Sequence, residues 1–177
     1  MTFKTRGNKT AVNSARILFG RIVLAYCHAK IKRYKPKHDT FILIANHSDA
    51  LDPVYMLYAV KKYVRFVISD HLVDKPILNF LLRKVSGFIV REREKPSSEM
   101  VDNVLKSIRE GVSVAICVEG TITPNGETGF FSPRTGQLIK DAGVALITFR
   151  LKGGYFHTPK WGTGLRKGPV RGGVVRE

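Results

Sequence analysis

Directly after the apolar, β-rich run TFILIA (40–45), the stretch NHSDALD (46–52) sets His47 and Asp52 five positions apart across a strand-to-helix turn. A neutral imidazole whose second nitrogen is held by a carboxylate is a competent general base. The carboxylate selects the tautomer and stabilises the imidazolium that forms. Such a pair suits removal of a proton from an alcohol. No serine or cysteine follows a strand in a nucleophile-elbow context, so a direct attack by a substrate hydroxyl is the simpler chemistry. Asp49 is a second candidate partner for His47. The same residues also fit a structural role, with Asp52 and Pro53 opening a helix and His47 sitting in its turn.

Two further strand ends carry unusual polar residues. In GFIVRERE (87–94), Arg93 can grip a phosphate as a bidentate fork. In VEGT (118–121), Gly120 allows close backbone approach and Thr121 offers a hydroxyl. A carboxylate at a buried strand end needs a partner, because unpaired buried charge is costly. Arg93 is one candidate partner for Glu119. The remaining histidines, His28, His38, His71 and His157, show no metal-ligand spacing, so each is expected in an ordinary surface or core role and no metal is called for.

The elements that must position these groups alternate along the chain. Strands are expected at 40–46, 63–69, 88–92, 112–118 and 144–151, and helices over 52–61, 75–85, 97–110 and 136–143. VSVAICV (112–118) is continuously apolar, as a strand buried on both faces must be. VRGGVVRE (170–177) reads as a late strand. This alternation predicts a single α/β domain with a central, largely parallel sheet flanked by helices. Catalytic groups in such sheets gather at the carboxyl ends of strands.

The N-terminal stretch AVNSARILFGRIVLAYCHA (11–29) has apolar residues at helical spacing, including Ala15, Leu18, Phe19, Ile22, Val23 and Tyr26. Either it packs on the core with an exposed basic face, or it lies in a membrane interface with its cations near anionic headgroups. Arg21 argues against a span. The chain of 177 residues has a net charge of +16, and its excess sits on two flanks. Residues 1–38 hold ten Lys/Arg and no acid, residues 39–141 are neutral overall, and residues 142–177 hold seven Lys/Arg against Glu177 alone. Basic flanks fit anionic lipid, nucleic acid or phosphorylated ligands. Cys27 and Cys117 form no disulfide framework and suit a reducing compartment. No secretory cleavage site is evident.

Taken together, NHSDALD, GFIVRER and VEGT at successive strand ends resemble the glycerophospholipid acyltransferase family, notably the 1-acyl-glycerol-3-phosphate acyltransferases. They look like its Asn-His-x4-Asp, Gly/Arg and Phe-Pro-Glu-Gly-Thr blocks, with Cys117-Val118 in place of Phe-Pro and Ile122 after the last block. No proline stands in GVALITF (143–149), where the family's fourth block would fall. GETGFFSPRTGQLIKDAG and GGYFHTPKW resemble one bacterial branch.

The resemblance implies transfer of a fatty acyl group from a thioester, on coenzyme A or acyl carrier protein, to the free hydroxyl of a lysophospholipid. It implies His47 as general base oriented by Asp52, with Asn46, Gly87, Arg93, Glu119, Gly120 and Thr121 binding substrate. The thioester is a co-substrate and no permanent cofactor is expected. On this reading residues 1–38 form a basic segment with an amphipathic helix, and residues 39–177 the acyltransferase domain. The protein would sit peripherally on an anionic membrane surface, at the cytoplasmic face. A non-catalytic basic lipid- or nucleic-acid-binding protein is the alternative. The cations lie at the termini and no RRM-like or helix-turn-helix signature is present, so nucleic acid is not the expected partner.

Overall fold

The computed structural model describes residues 9–70, 88–91, 98–157, 162, 166 and 168–177. The helix expected at 75–85 lies outside them, as do Gly87, Arg93 and His71. Within them the chain runs α1 (Lys9–Tyr26), β1 (Lys30–Ile31), β2 (Phe41–Ala45), α2 (Asp52–Ala59), β3 (Val64–Ser69), β4 (Phe88–Arg91), α3 (Ser98–Arg109), β5 (Ser113–Cys117), α4 (Pro133–Ala142), β6 (Ala145–Lys152) and β7 (Arg171–Arg176). A single 3₁₀ turn, Gly154–Phe156, follows β6.

The seven strands form one sheet in the order β1-β7-β6-β2-β5-β3-β4. All pairs are parallel except β6 with β7. The expected α/β fold with a largely parallel sheet is the fold observed. The central strands β2 (FILIA) and β5 (SVAIC) are buried on both faces, which is why they read as unbroken apolar runs. Further out, β3 (VRFVIS) alternates buried and half-buried residues. Two apolar clusters sandwich the sheet. On one face Phe41, Leu43 and Phe149 pack with Tyr55 and Met56 of α2 and Leu24 of α1. On the other, Ile42, Val114 and Ile116 pack with Val104 and Ile108 of α3 and Leu138 of α4.

Three local expectations shift. Helix α4 begins three residues before the expected 136, because Pro133 fits its first turn; Gly143, at φ 60°, closes it in the left-handed conformation. The two-residue strand β1 was not expected, since its pairing to β7 comes from the far end of the chain. Gly20 and Leu24 of α1, with Cys27 just past its end, face the core, and a Cβ on Gly20 would come within 3.1 Å of the Tyr58 ring. Leu18, Ile22 and Tyr26, at helical spacing, stay exposed at 64%, 60% and 50%. The helix therefore packs one stripe on the core and leaves a second apolar stripe, beside Arg21, facing solvent.

Candidate active site

Strands β2 and β5 are neighbours, yet their chains leave in opposite directions. The turn after β2 enters α2 on one face, and the segment after β5 leads to α4 on the other. The carboxyl ends of two such strands are where α/β sheets bind ligands. His47 follows β2 and Glu119-Gly120 follows β5, so both segments stand at this switch point. Backbone bonds join them, with Val118 N–H donating to the Ala45 carbonyl and Thr123 N–H to the His47 carbonyl.

His47 Nδ1 lies 2.9 Å from Asp52 Oδ2, with the imidazole 19% exposed and the carboxylate fully buried. An ionised carboxylate only accepts, so Nδ1 carries the hydrogen and Nε2 presents its lone pair. Among the described residues Nε2 has no hydrogen-bond partner. Asp52 also accepts from the Ser48 and Asp49 backbone N–H groups and from the Ser48 hydroxyl. Burial pushes the Asp52 carboxyl above its usual range, and these donors, His47 first, offset part of that rise. Asp52 is thus the first residue of α2 rather than its cap. Leu51 occupies the cap position without a side-chain bond. The carboxylate instead ties the turn 47–49 back onto the helix start.

The other Asp of the turn has a different partner. Asp49 Oδ2 lies 2.9 Å from His157 Nδ1, and both side chains are fully buried. His157 Nε2 donates to the Gly168 carbonyl at 2.7 Å, and the Tyr55 hydroxyl lies 3.2 Å from Nδ1. A second His–Asp pair therefore locks the turn from behind, fastened to the segment that follows β6. Gly154 sits in that segment, and a Cβ there would collide with the Ser48 hydroxyl. Sequence reasoning placed His157 in an ordinary role. Its partner is 108 positions away, and no local pattern announces it.

Asn46 spends both ends of its amide on one backbone residue. Its Nδ2 donates to the Leu151 carbonyl at 2.9 Å, and Leu151 N–H donates to its Oδ1 at 2.8 Å. It extends the β2–β6 ladder one step past Ala45. Glu119 Oε1 accepts from His47 N–H at 3.1 Å, and Oε2 from Gly129 N–H at 3.0 Å. These two N–H groups are the partners Glu119 shows here, and they pin the 120–129 loop against the turn that holds His47. Gly120 has φ 69°, and the Arg91 guanidinium fills the space its Cβ would need. Arg91, at the end of β4, was not singled out from sequence; it reaches Gly120, just past the end of β5, across the intervening β3. Thr121 is exposed beside it.

Burial raises the thiols of Cys27 and Cys117, the latter strongly, and pushes the Tyr55 phenol up. Among the described residues no three His, Cys, Asp or Glu side chains are arranged to hold a metal ion. Nor is any described helix long and apolar enough to cross a membrane.

The family profile described as Acyltransferase matches residues 27–152, spanning all the strand ends above. A 1-acyl-sn-glycerol-3-phosphate acyltransferase of Borreliella burgdorferi is 26% identical over 117 residues, covering 66% of this chain and 47% of that protein. A chloroplastic 1-acyl-sn-glycerol-3-phosphate acyltransferase of Arabidopsis thaliana is 26% identical over 121 residues, covering 67% of this chain and 33% of that one. The chain thus spans half or less of the length of these relatives. The crystal structure of the 1-acyl-sn-glycerophosphate acyltransferase PlsC from Thermotoga maritima superposes with a TM-score of 0.78 at 21% identity, over 98% of this chain and 73% of that one. That match shows a shared fold, including the N-terminal helix.

Proposed function

We propose that this chain, which belongs to the acyltransferase family, moves a fatty acyl group from a thioester donor to the free hydroxyl of a lysophospholipid, 1-acyl-glycerol-3-phosphate. The observation that carries the reading is the His47–Asp52 pair at 2.9 Å beside the carboxyl ends of β2 and β5. Its Nε2 is the base. An aliphatic hydroxyl is far less acidic than imidazolium, so its proton passes to Nε2 only as the oxygen attacks the thioester carbonyl carbon. The tetrahedral intermediate then collapses with cleavage of the C–S bond. The departing sulfur takes the proton back from His47, which restores the neutral ring. General-base help of this kind is worth about 10²–10⁴-fold. The remainder comes from holding hydroxyl and carbonyl in register.

For the acceptor's phosphate, the family resemblance favours Arg93, Gly87, Gly120 and Thr121. The Arg91 guanidinium against Gly120 supplies a cation at the same corner. Glu119 acts there by holding the loop, since its carboxylate is engaged by backbone N–H groups. Asn46 acts by holding the end of β2. Membrane contact at the lipid–water boundary would use the exposed stripe Leu18, Ile22 and Tyr26 of α1, with Arg21 beside it and the net positive charge of segment 1–38 adding to the attraction. The donor is a thioester of coenzyme A or acyl carrier protein.

The test is a transfer assay with labelled acyl-CoA and acyl-carrier-protein thioesters against a panel of lysolipids. Label should enter the diacyl product only when an acceptor is present, and His47→Ala should abolish this without unfolding the chain. Release of free fatty acid without acceptor would mean a hydrolase. No transfer from either donor would overturn the proposal.

A further inference from the structure

The sheet is clothed unevenly. Among the described residues, helices α3 and α4 cover β2, β5, β3 and β4 on one face, and that face of β1, β7 and β6 has no covering helix. Strand alternation then determines what is displayed there. On β6, Ile147, Phe149 and Leu151 point into the core beside α1 and α2, so Arg150 and Lys152 point the other way. Arg171 pairs with Lys152 and Gly173 with Arg150, so they share this face. Lys30 pairs with Arg171 and joins them, and Lys32 follows at the next position of the same parity. The result is a trough of about 550 Å³ rimmed by Lys30, Lys32, Arg150, Lys152 and Arg171. Among the described residues no carboxylate lines it, and none of these five side chains is paired with one. Its floor is low because Gly173 has no side chain, and Val175 lends it an apolar surface.

We propose that this trough binds the adenosine 3′,5′-bisphosphate end of a coenzyme A thioester. The inference rests on the acyl-transfer reading and makes coenzyme A, rather than a carrier protein, the donor. Three observations favour this occupant. Five cations without an acid match a ligand carrying several phosphate charges in a small volume. The trough has the size of a nucleotide site, whereas a protein partner needs roughly 800 Å² of surface on each side. The trough also opens on the sheet face opposite α1. A flat bilayer against Leu18 and Ile22 therefore leaves it free for a soluble ligand. The row Lys152, Arg171, Lys30 lies at the same end of the sheet as His47, on the first, second and third strands from β2. At about 4.8 Å per strand the row ends roughly 14 Å to the side of the base. A flexible pantetheine arm would cross that gap and present the thioester at Nε2.

Titration calorimetry of the full chain with adenosine 3′,5′-bisphosphate tests the trough without reference to catalysis. Binding should weaken at least tenfold in Lys152→Gln/Arg171→Gln, and likewise in Lys30→Gln/Arg150→Gln, with circular dichroism melting as the check on folding. In transfer assays, the ratio of kcat/KM for acyl-CoA to that for a truncated acyl-N-acetylcysteamine thioester should fall at least tenfold in both variants. If the bisphosphate does not bind, or binds the variants equally well, the proposal is wrong. Variants that instead lose anionic vesicles would make the trough a headgroup surface, and variants that lose acyl carrier protein would make it a protein dock; either overturns it. Failure of the chain to use any thioester would refute the proposed activity, while the bisphosphate titration would still decide the trough.

Discussion

Replacing Asp52 by asparagine separates charge from geometry at the heart of the site. Asparagine keeps the shape and one acceptor oxygen. Placed where Oδ2 lies, that oxygen retains the donors from His47, Ser48 and Asp49, and the Ser48 hydroxyl can rotate to accept from the new amide. The turn is therefore expected to survive. What disappears is a negative charge facing the imidazolium at the moment of proton transfer. With Nδ1 and Oδ2 2.9 Å apart the charge centres are roughly 4 Å apart, since both charges are delocalised. At an effective dielectric of about 20 that interaction is worth about 4 kcal/mol. The predicted loss is about a thousandfold in kcat.

Stability should move the other way. Burial holds the Asp52 carboxyl above its ordinary value, so the folded chain binds its proton more tightly than the unfolded one. The stability this group contributes is fully present below the ordinary carboxylate value and is lost as pH rises through the raised one. Asp52→Asn lacks that loss, so its Tm relative to the wild type should improve from acid to neutral pH. The assays are single-turnover acyl transfer and thermal melts across pH. Transfer within threefold of wild type would refute the pairing, and a lower Tm at neutral pH would show that the carboxylate holds the fold instead.

Three other outcomes follow from the same structure. His157→Ala removes the imidazole that faces the buried Asp49, which costs about 3–5 kcal/mol; Tm should fall by roughly 10 °C in scanning calorimetry, and an unchanged Tm would contradict the buried pair. Because burial raises both thiols, Cys27 and Cys117 should resist iodoacetamide at mildly alkaline pH and react promptly in denaturant; equal labelling rates by mass spectrometry would count against it. Leu18→Ser/Ile22→Ser should leave the melt of the chain within about 1 °C, since these side chains are exposed, yet weaken co-sedimentation with anionic vesicles several-fold. Unchanged sedimentation would remove α1 from the membrane contact.

The alternation of strands and helices was legible because each element advertises itself locally. FILIA and SVAIC are apolar without interruption because they lie at the centre of the sheet, and Ser98–Arg109 is amphipathic because it covers one face. His47 and Asp52 were legible for the same reason, since a pair five positions apart can close within one turn. The sequence favoured Asp52 and left Asp49 as a second candidate. The fold chose between them by bringing His157 from 108 positions away to claim Asp49. It likewise gave Glu119 the N–H groups of His47 and Gly129, laid Arg91 over Gly120, and gathered five cations from β1, β6 and β7 onto one open face. Periodicity and turn chemistry are properties of neighbours in the chain, so composition and order determine them. Which distant groups meet depends on strand order and on which sheet face each helix covers, and those are settled only when the two apolar clusters close around the sheet.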